Sequence, residues 1–444
     1  MKRIKEKHLK IIYIILITSI AITFAISMPI NSGPDEVMKM DICKFIAEHN
    51  SLPHGGEDAV RDVTWGISYG FTPILSYIFG GIFMKITGIF TQDIHTLYVS
   101  ARLVSCICYS IMGIFVIKIG DKLFKNISYK WIFITLTTML PQVLFLGSYI
   151  NNDALALMSI AIIVYAWIIG LESKWSIKSC ITLAIGIGLC ALSYYNAYGY
   201  ILTSMIIFVV YYAVNKINYK EFLKKGLLIS FITLAICGWW FVRSYIIYNG
   251  DILGMRTTDE YAEKYAIEEL KPSNRSTPQN TGMSLYTMLI KEKWIYMTLK
   301  SFIAVFGGME IGMPTYIYAL FLLVFLIGFI GYAIKFFKNG YLKNMDTNKK
   351  ILEFAFIFNI FLPIGLSFYY SYFSDFQPQG RYIMPMLIPF MFFITLGTSN
   401  VIEKLIKQDK AKRIIQTIIA IFPVMLTINC VIHSILYYAS IKGE

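Results

Sequence analysis

The sequence predicts an all-α polytopic membrane protein, with about eleven transmembrane helices plus juxtamembrane or re-entrant helices on the outer face. Three observations carry that expectation. Of the 444 residues, 57% are hydrophobic and only 15% charged, where a soluble domain carries about a quarter charged. Apolar runs of about eighteen residues or more recur along the whole chain, each long enough to span a bilayer as a helix. The basic residues sit in short loops between those runs, as topology signals do.

The N-terminus "MKRIKEKHLK" followed by "IIYIILITSIAITFAISM" has the outline of a signal peptide. Its apolar run is too long for an h-region, and "AISMPINSG" offers no small-residue cleavage site, so it reads as a retained first span. Spans are expected at 11–30, 97–118, 131–150, 154–171, 179–195, 198–214, 227–247, 315–337, 351–371, 382–399 and 414–436. Two apolar segments, 69–88 and 294–313, each hold a lysine and several glycines. Lysine counting decides them. With Lys2, Arg3, Lys5, Lys7 and Lys10 inside, the loops after Lys118, Lys174, Lys216, Lys335 and Lys404 also fall inside only if neither segment crosses. Both are therefore expected to lie in or dip into the outer leaflet. Residues 1–444 then form a single membrane domain with a first outer loop at 31–96, carrying amphipathic juxtamembrane helices, and a second at 248–313.

Other classes are excluded along the way. The net charge of +13 is spread over loops and is not a nucleic-acid footprint. The seven cysteines mostly fall inside apolar runs, are odd in number and make no metal-ligand spacing. The histidines stand singly.

Polar features collect on the expected outer face. In "NSGPDEVMKMDICKF", Ser32 or Gly33 can cap a helix, Pro34 suits its first turn, and Asp35 and Glu36 complement the helix dipole. Met38, Ile42, Phe45 and Ile46 would form the apolar face of that helix, with Lys39 mostly elsewhere. In "GSYINNDALAL", Asn151, Asn152 and Asp153 mark a span boundary, with Asp153 the best cap. In "QPQGRYIMPMLIP", Arg381 stands at a membrane entrance beside Tyr382, and an outer arginine suits a bidentate grip on phosphate.

The order of these motifs resembles the C-type membrane glycosyltransferases that use polyprenyl-phosphate sugars, among them protein O-mannosyltransferases and aminoarabinose transferases. A cytoplasmic N-terminus, one span, "PDE" opening a juxtamembrane helix and a re-entrant stretch are shared. "PQVLFLGSYINNDALALM" and "QPQGRYIMPMLIP" resemble a bacterial branch of that superfamily, from about residue 10 to 400. The resemblance implies transfer of one sugar, with inversion, from an outer-facing polyprenyl phosphate to an envelope acceptor: a lipid, a surface glycan or a protein. It makes Asp35 the general base and Glu36 its helper, with Asp153 the second acidic position and Asn152 beside it. Arg381, with Arg102 or Lys85, would hold the leaving phosphate, and Tyr382 would line the substrate. No cofactor is assigned; a divalent cation between outer carboxylates is open, with no firm third ligand. That branch often has a histidine three residues after the glutamate, where this chain has Lys39. The expected location is a bacterial plasma membrane. The alternatives are a transporter or flippase of a lipid-linked or small solute, and a glycan polymerase or ligase.

Overall fold

The computed structural model describes residues 2–442 apart from 339 and 342; the side chains of residues 2–5 and 442, and so those of Lys2, Arg3 and Lys5, lie outside the described set. The helices are α1 Lys2–Ser27, α2 Glu36–His49, α3 Leu75–Gly88, α4 Ile94–Leu123, α5 Ile127–Thr138, α6 Pro141–Leu146, α7 Asp153–Glu172 and α8 Ile177–Ala191. They continue with α9 Gly199–Val214, α10 Tyr219–Ile247, α11 Met255–Tyr265 and α12 Trp294–Ala304. A two-stranded antiparallel hairpin, β1 Val305–Phe306 and β2 Ile311–Gly312, comes next. The chain closes with α13 Thr315–Phe336, α14 Thr347–Phe373, α15 Leu387–Leu405 and α16 Asp409–Lys442.

Among the described residues, nine helices are long and apolar enough to cross a membrane: α1, α4, α7, α10, α13, α14 and α16, and α9 and α15 each with its preceding turn. The all-α polytopic membrane architecture is thus as expected. Two expected spans look different. The 179–195 span is the short α8, and the 131–150 span is broken between α5 and α6. Pro141 is the cause: it opens α6 at a position where its missing N–H costs nothing, but it cannot continue α5. The segments 69–88 and 294–313 form short helices, α3 and α12, rather than long ones.

Helix α7 is the centre of the bundle. Its buried face runs almost all the way round, from Ala154 to Leu171, as expected for a helix surrounded by other helices. Lipid-facing helices such as α10 and α13 bury far less of themselves. Helices α13 and α15 approach backbone to backbone through Gly328, Gly331 and Gly397, where any Cβ would strike the opposite main chain. Small residues permit such contact where burial against lipid supplies no driving force.

The bundle has two chemically different ends. Lys122, Lys335, Lys338, Lys349 and Lys404 ring a cavity of about 790 Å³ at one end. Helices α4, α7, α13 and α15 run away from the other end, which holds α2, α3, α11, α12, the hairpin and the N-terminus of α7. The second loop is therefore built of α11, α12 and local turns rather than being a bare connector.

Candidate active site

The site begins where α1 stops. Arg102 of α4 reaches into that break with its guanidinium fully buried. It donates Nη1 to the carbonyls of Ala25 and Met28, each at 2.8 Å, and Nη2 to the carbonyl of Pro29 at 2.6 Å. Those acceptors lie at or just beyond the last turn of α1, where a cation offsets the helix dipole. Its remaining donors, Nε and Nη2, bind the two oxygens of Glu36, both at 2.8 Å. The Glu36 carboxylate also accepts from the N–H groups of Gly33 at 3.2 Å and Ile150 at 3.1 Å. All five guanidinium donors and both carboxylate oxygens are engaged. This clamp joins α1, α2, α4 and the α6–α7 connection.

The neighbouring Asp35 is left free by it. Its backbone is left-handed, with φ 54°, a conformation Asp tolerates better than most residues. Its side chain makes no capping bond; Asn31 Oδ1 takes the Val37 N–H instead. The Asp35 carboxylate accepts from the Tyr69 hydroxyl at 2.7 Å and faces Arg381 Nη2 at 3.5 Å. It is 38% exposed, whereas the Arg381 side chain is 10% exposed. Burial pushes the Asp35 carboxyl up, but Lys39, Arg381 and the Tyr69 hydroxyl together outweigh it and hold the group below its ordinary range.

Arg381 comes from the turn that enters α15. Gly380 makes that turn possible, since a Cβ there would lie 2.0 Å from the backbone nitrogen of Phe302. Arg381 Nη2 donates to the Tyr382 hydroxyl at 3.0 Å, which in turn donates to Gln377 Oε1 at 2.7 Å. Its Nε is buried and has no protein partner among the described residues. The Asn152 Oδ1 and the Tyr149 hydroxyl are likewise buried and unpartnered there. Unsatisfied polar atoms in a buried cluster point to a ligand or water.

A cavity of about 590 Å³ opens beside Asp35 and Arg381. Asp35, Gln377, Gln379 and Arg381 line it, together with the hairpin tip Gly307–Glu310, Asp62 and Trp65. Phe306 anchors the hairpin by stacking on Phe145 of α6, and Gln142 Oε1 accepts from the Val305 N–H at 2.9 Å.

Several sequence expectations are corrected here. Glu36 and Arg102 do not line the cavity: they are buried and saturate one another, so neither is free to orient an acceptor or hold a phosphate. Lys85 bonds to Asn50 at the far end of α2, about 20 Å along that helix from Asp35 at 1.5 Å per residue. Asp153 is not the cap of α7. Asn151 Oδ1 accepts from the Ala154 N–H at 2.9 Å, which leaves the Asp153 carboxylate free to face Lys39 and Arg381. Asn152 donates to the Pro73 carbonyl at 2.9 Å and does not line the cavity. Lys39, placed by pattern on the polar face, is only 2% exposed. The sequence reading also missed Tyr69, Tyr149 and Gln377. For Lys39 a signal existed: it stands four residues after Asp35, on the same side of the helix.

The sequence over residues 38–391 matches the family described as "Predicted membrane protein (DUF2142)". The chain belongs to that family. No curated protein matches its sequence. Among solved structures, the apo oligosaccharyltransferase of Archaeoglobus fulgidus matches with a TM-score of 0.56 at 12% identity, over 96% of this chain and 56% of that one. The archaeal oligosaccharyltransferase AglB from Archaeoglobus fulgidus, in complex with an inhibitory peptide and a dolichol-phosphate, matches with a TM-score of 0.54 at 13% identity, over 96% and 56%. ArnT from Cupriavidus metallidurans bound to undecaprenyl phosphate has a TM-score of 0.41 at 12% identity, over 88% and 78%. At such identities the likeness to the oligosaccharyltransferase is one of fold alone. This DUF2142 chain spans little more than half the oligosaccharyltransferase's length.

Proposed function

We propose that the protein is a membrane glycosyltransferase that moves a sugar, with inversion, from a polyprenyl-phosphate carrier to a cell-envelope acceptor, with Asp35 as general base. One observation carries this reading. An aspartate and an arginine with a buried, unpartnered Nε share the wall of one cavity, 3.5 Å apart. The acceptor oxygen attacks the anomeric carbon and gives its proton to Asp35. The bond from that carbon to the phosphate oxygen breaks, and its electron pair leaves with the polyprenyl phosphate, whose charge Arg381 meets. Tyr69 and Tyr382 hold these two groups in register through the bonds given above. Trp65 and Asp62 also line the cavity and would meet the acceptor.

The lysine-rich end of the bundle is the cytoplasmic end under the positive-inside rule. The cavity then opens outside, in what we take to be a bacterial plasma membrane. A transporter would place its polar groups near mid-bundle; the Asp35 cluster sits instead at one end. Two cations, Lys39 and Arg381, already face Asp35 and Asp153, which supports a reading without a metal ion.

Binding of undecaprenyl phosphate tests the phosphate half of the reading. It should raise the melting temperature of the detergent-solubilised protein, and Arg381→Met should abolish the rise. An equal rise in both proteins removes Arg381 from the phosphate site.

A further inference from the structure

Lys39 is the buried charged group that the reaction above leaves without a task. Its ammonium donates to the carbonyl of Pro34, the residue before Asp35, and so pins the left-handed turn that aims Asp35. The rings of Tyr69 and Tyr149 wall it in, with centroids at 5.0 and 5.4 Å. The charges facing it come from every element around it. Asp35 and Glu36 lie at the start of its own helix, Asp153 at the start of α7, and Arg381 in the turn before α15. Tyr69 and Tyr149 are its uncharged titratable neighbours. Glu36 is already neutralised by Arg102. What remains is two carboxylates, Asp35 and Asp153, balanced by two cations, Lys39 and Arg381.

We propose that Lys39 is the built-in cation of this site, a positioning residue that fixes the Asp35 turn and balances its carboxylates where a divalent metal would otherwise be required. Transfer then needs no added metal and fails as the ammonium loses its proton. The activity part of this inference rests on the glycosyl-transfer reading; the charge of Lys39 does not. Burial lowers the ammonium's pKa, Asp35 opposes that, Arg381 adds to it, and the balance falls to about 8. An alkaline limit on turnover therefore lies within reach of experiment.

Two measurements on the full chain test this. In the first, purified wild type, Lys39→Arg and Lys39→Met receive a panel of undecaprenyl-phosphate hexoses and a solubilised envelope extract, with and without EDTA, across the pH range. Wild-type turnover should be unchanged by EDTA and should fall about tenfold per pH unit above the Lys39 titration. Lys39→Arg, which keeps its charge, should lose that alkaline limb while turning over near the wild-type rate at neutral pH. Lys39→Met should be slow throughout. An unchanged alkaline limb in Lys39→Arg, or loss of wild-type activity to EDTA, overturns the proposal.

The second measurement is independent of activity. Because the folded-state pKa lies below the unfolded value of 10.5, the unfolded chain binds more protons between the two, and stability rises with pH there. The wild type should therefore gain melting temperature relative to Lys39→Met between neutral pH and pH about 9.5. A flat difference overturns the buried charge. If the wild type transfers no sugar while this gain is present, the reaction reading fails and the buried cation stands.

Discussion

Replacing Arg102 with Met removes five hydrogen bonds at once and strands the Glu36 carboxylate in a fully buried place. The three carbonyls at the end of α1 lose their donor as well. Breaking one side of a buried ion pair costs about 3–5 kcal/mol, and this pair is completely enclosed. At about 4 kcal/mol, the folding equilibrium falls by roughly three orders of magnitude. Glu36→Gln keeps the shape but loses the charge, at about 1.5–3 kcal/mol. Because the two side chains act on one another, the double variant should be less destabilised than the sum of the singles, by about 0.5–3 kcal/mol. Thermal and denaturant unfolding in one detergent would measure all three. If Arg102→Met unfolds like the wild type, the clamp is not structural. If it keeps full stability but loses turnover by more than about a hundredfold, a loss of about 2.7 kcal/mol in transition-state stabilisation, Arg102 belongs to the chemistry after all.

Other outcomes follow from the same geometry. Tyr69→Phe removes the hydroxyl held against Asp35 and should slow turnover by about tenfold to a hundredfold, as loss of a hydrogen bond to a charged group does. Asp35 is held below its ordinary carboxylate range, so it stays a base as pH falls and loses activity only on passing that lowered value. Arg381→Met should move this acid limb upward, and a pH–rate profile would show it. Gly380→Ala drives a methyl group into the Phe302 backbone, which should cost about 1–3 kcal/mol and displace Arg381, with turnover falling further than melting temperature. Lys85→Ala should leave turnover within about twofold of wild type, because its partner is Asn50 and not the cavity, and an exposed surface contact of this kind is worth at most about 1 kcal/mol.

Much of the fold was legible because lipid imposes a simple rule on sequence: apolar runs become helices and charges mark the ends. That rule does not see the break between α5 and α6, since Met139, Leu140 and Pro141 are themselves apolar and the hydropathy signal passes through them. In the site, the sequence pointed to Asp35, Asp153 and Arg381, and only the family resemblance, not the residues themselves, divided the adjacent Asp35 and Glu36. Tertiary contact divides them physically, by giving Arg102 to Glu36 and leaving Asp35 open. Lys39 was misplaced for a related reason. An amphipathic pattern sends a lysine to solvent, whereas here two tyrosine rings and the Pro34 carbonyl make a buried seat for it. Tyr69 carried no local signal at all, because its partner lies 34 residues away.

The central claim is that Asp35 is the base, and turnover by Asp35→Asn tests it most directly. The substitution keeps the size of the side chain and its contact with Tyr69 but removes the proton acceptor. With an undecaprenyl-phosphate sugar that the wild type uses, the folded variant should release polyprenyl phosphate at least about a hundredfold more slowly, the usual contribution of a general base. Transfer by Asp35→Asn at the wild-type rate would contradict the assignment.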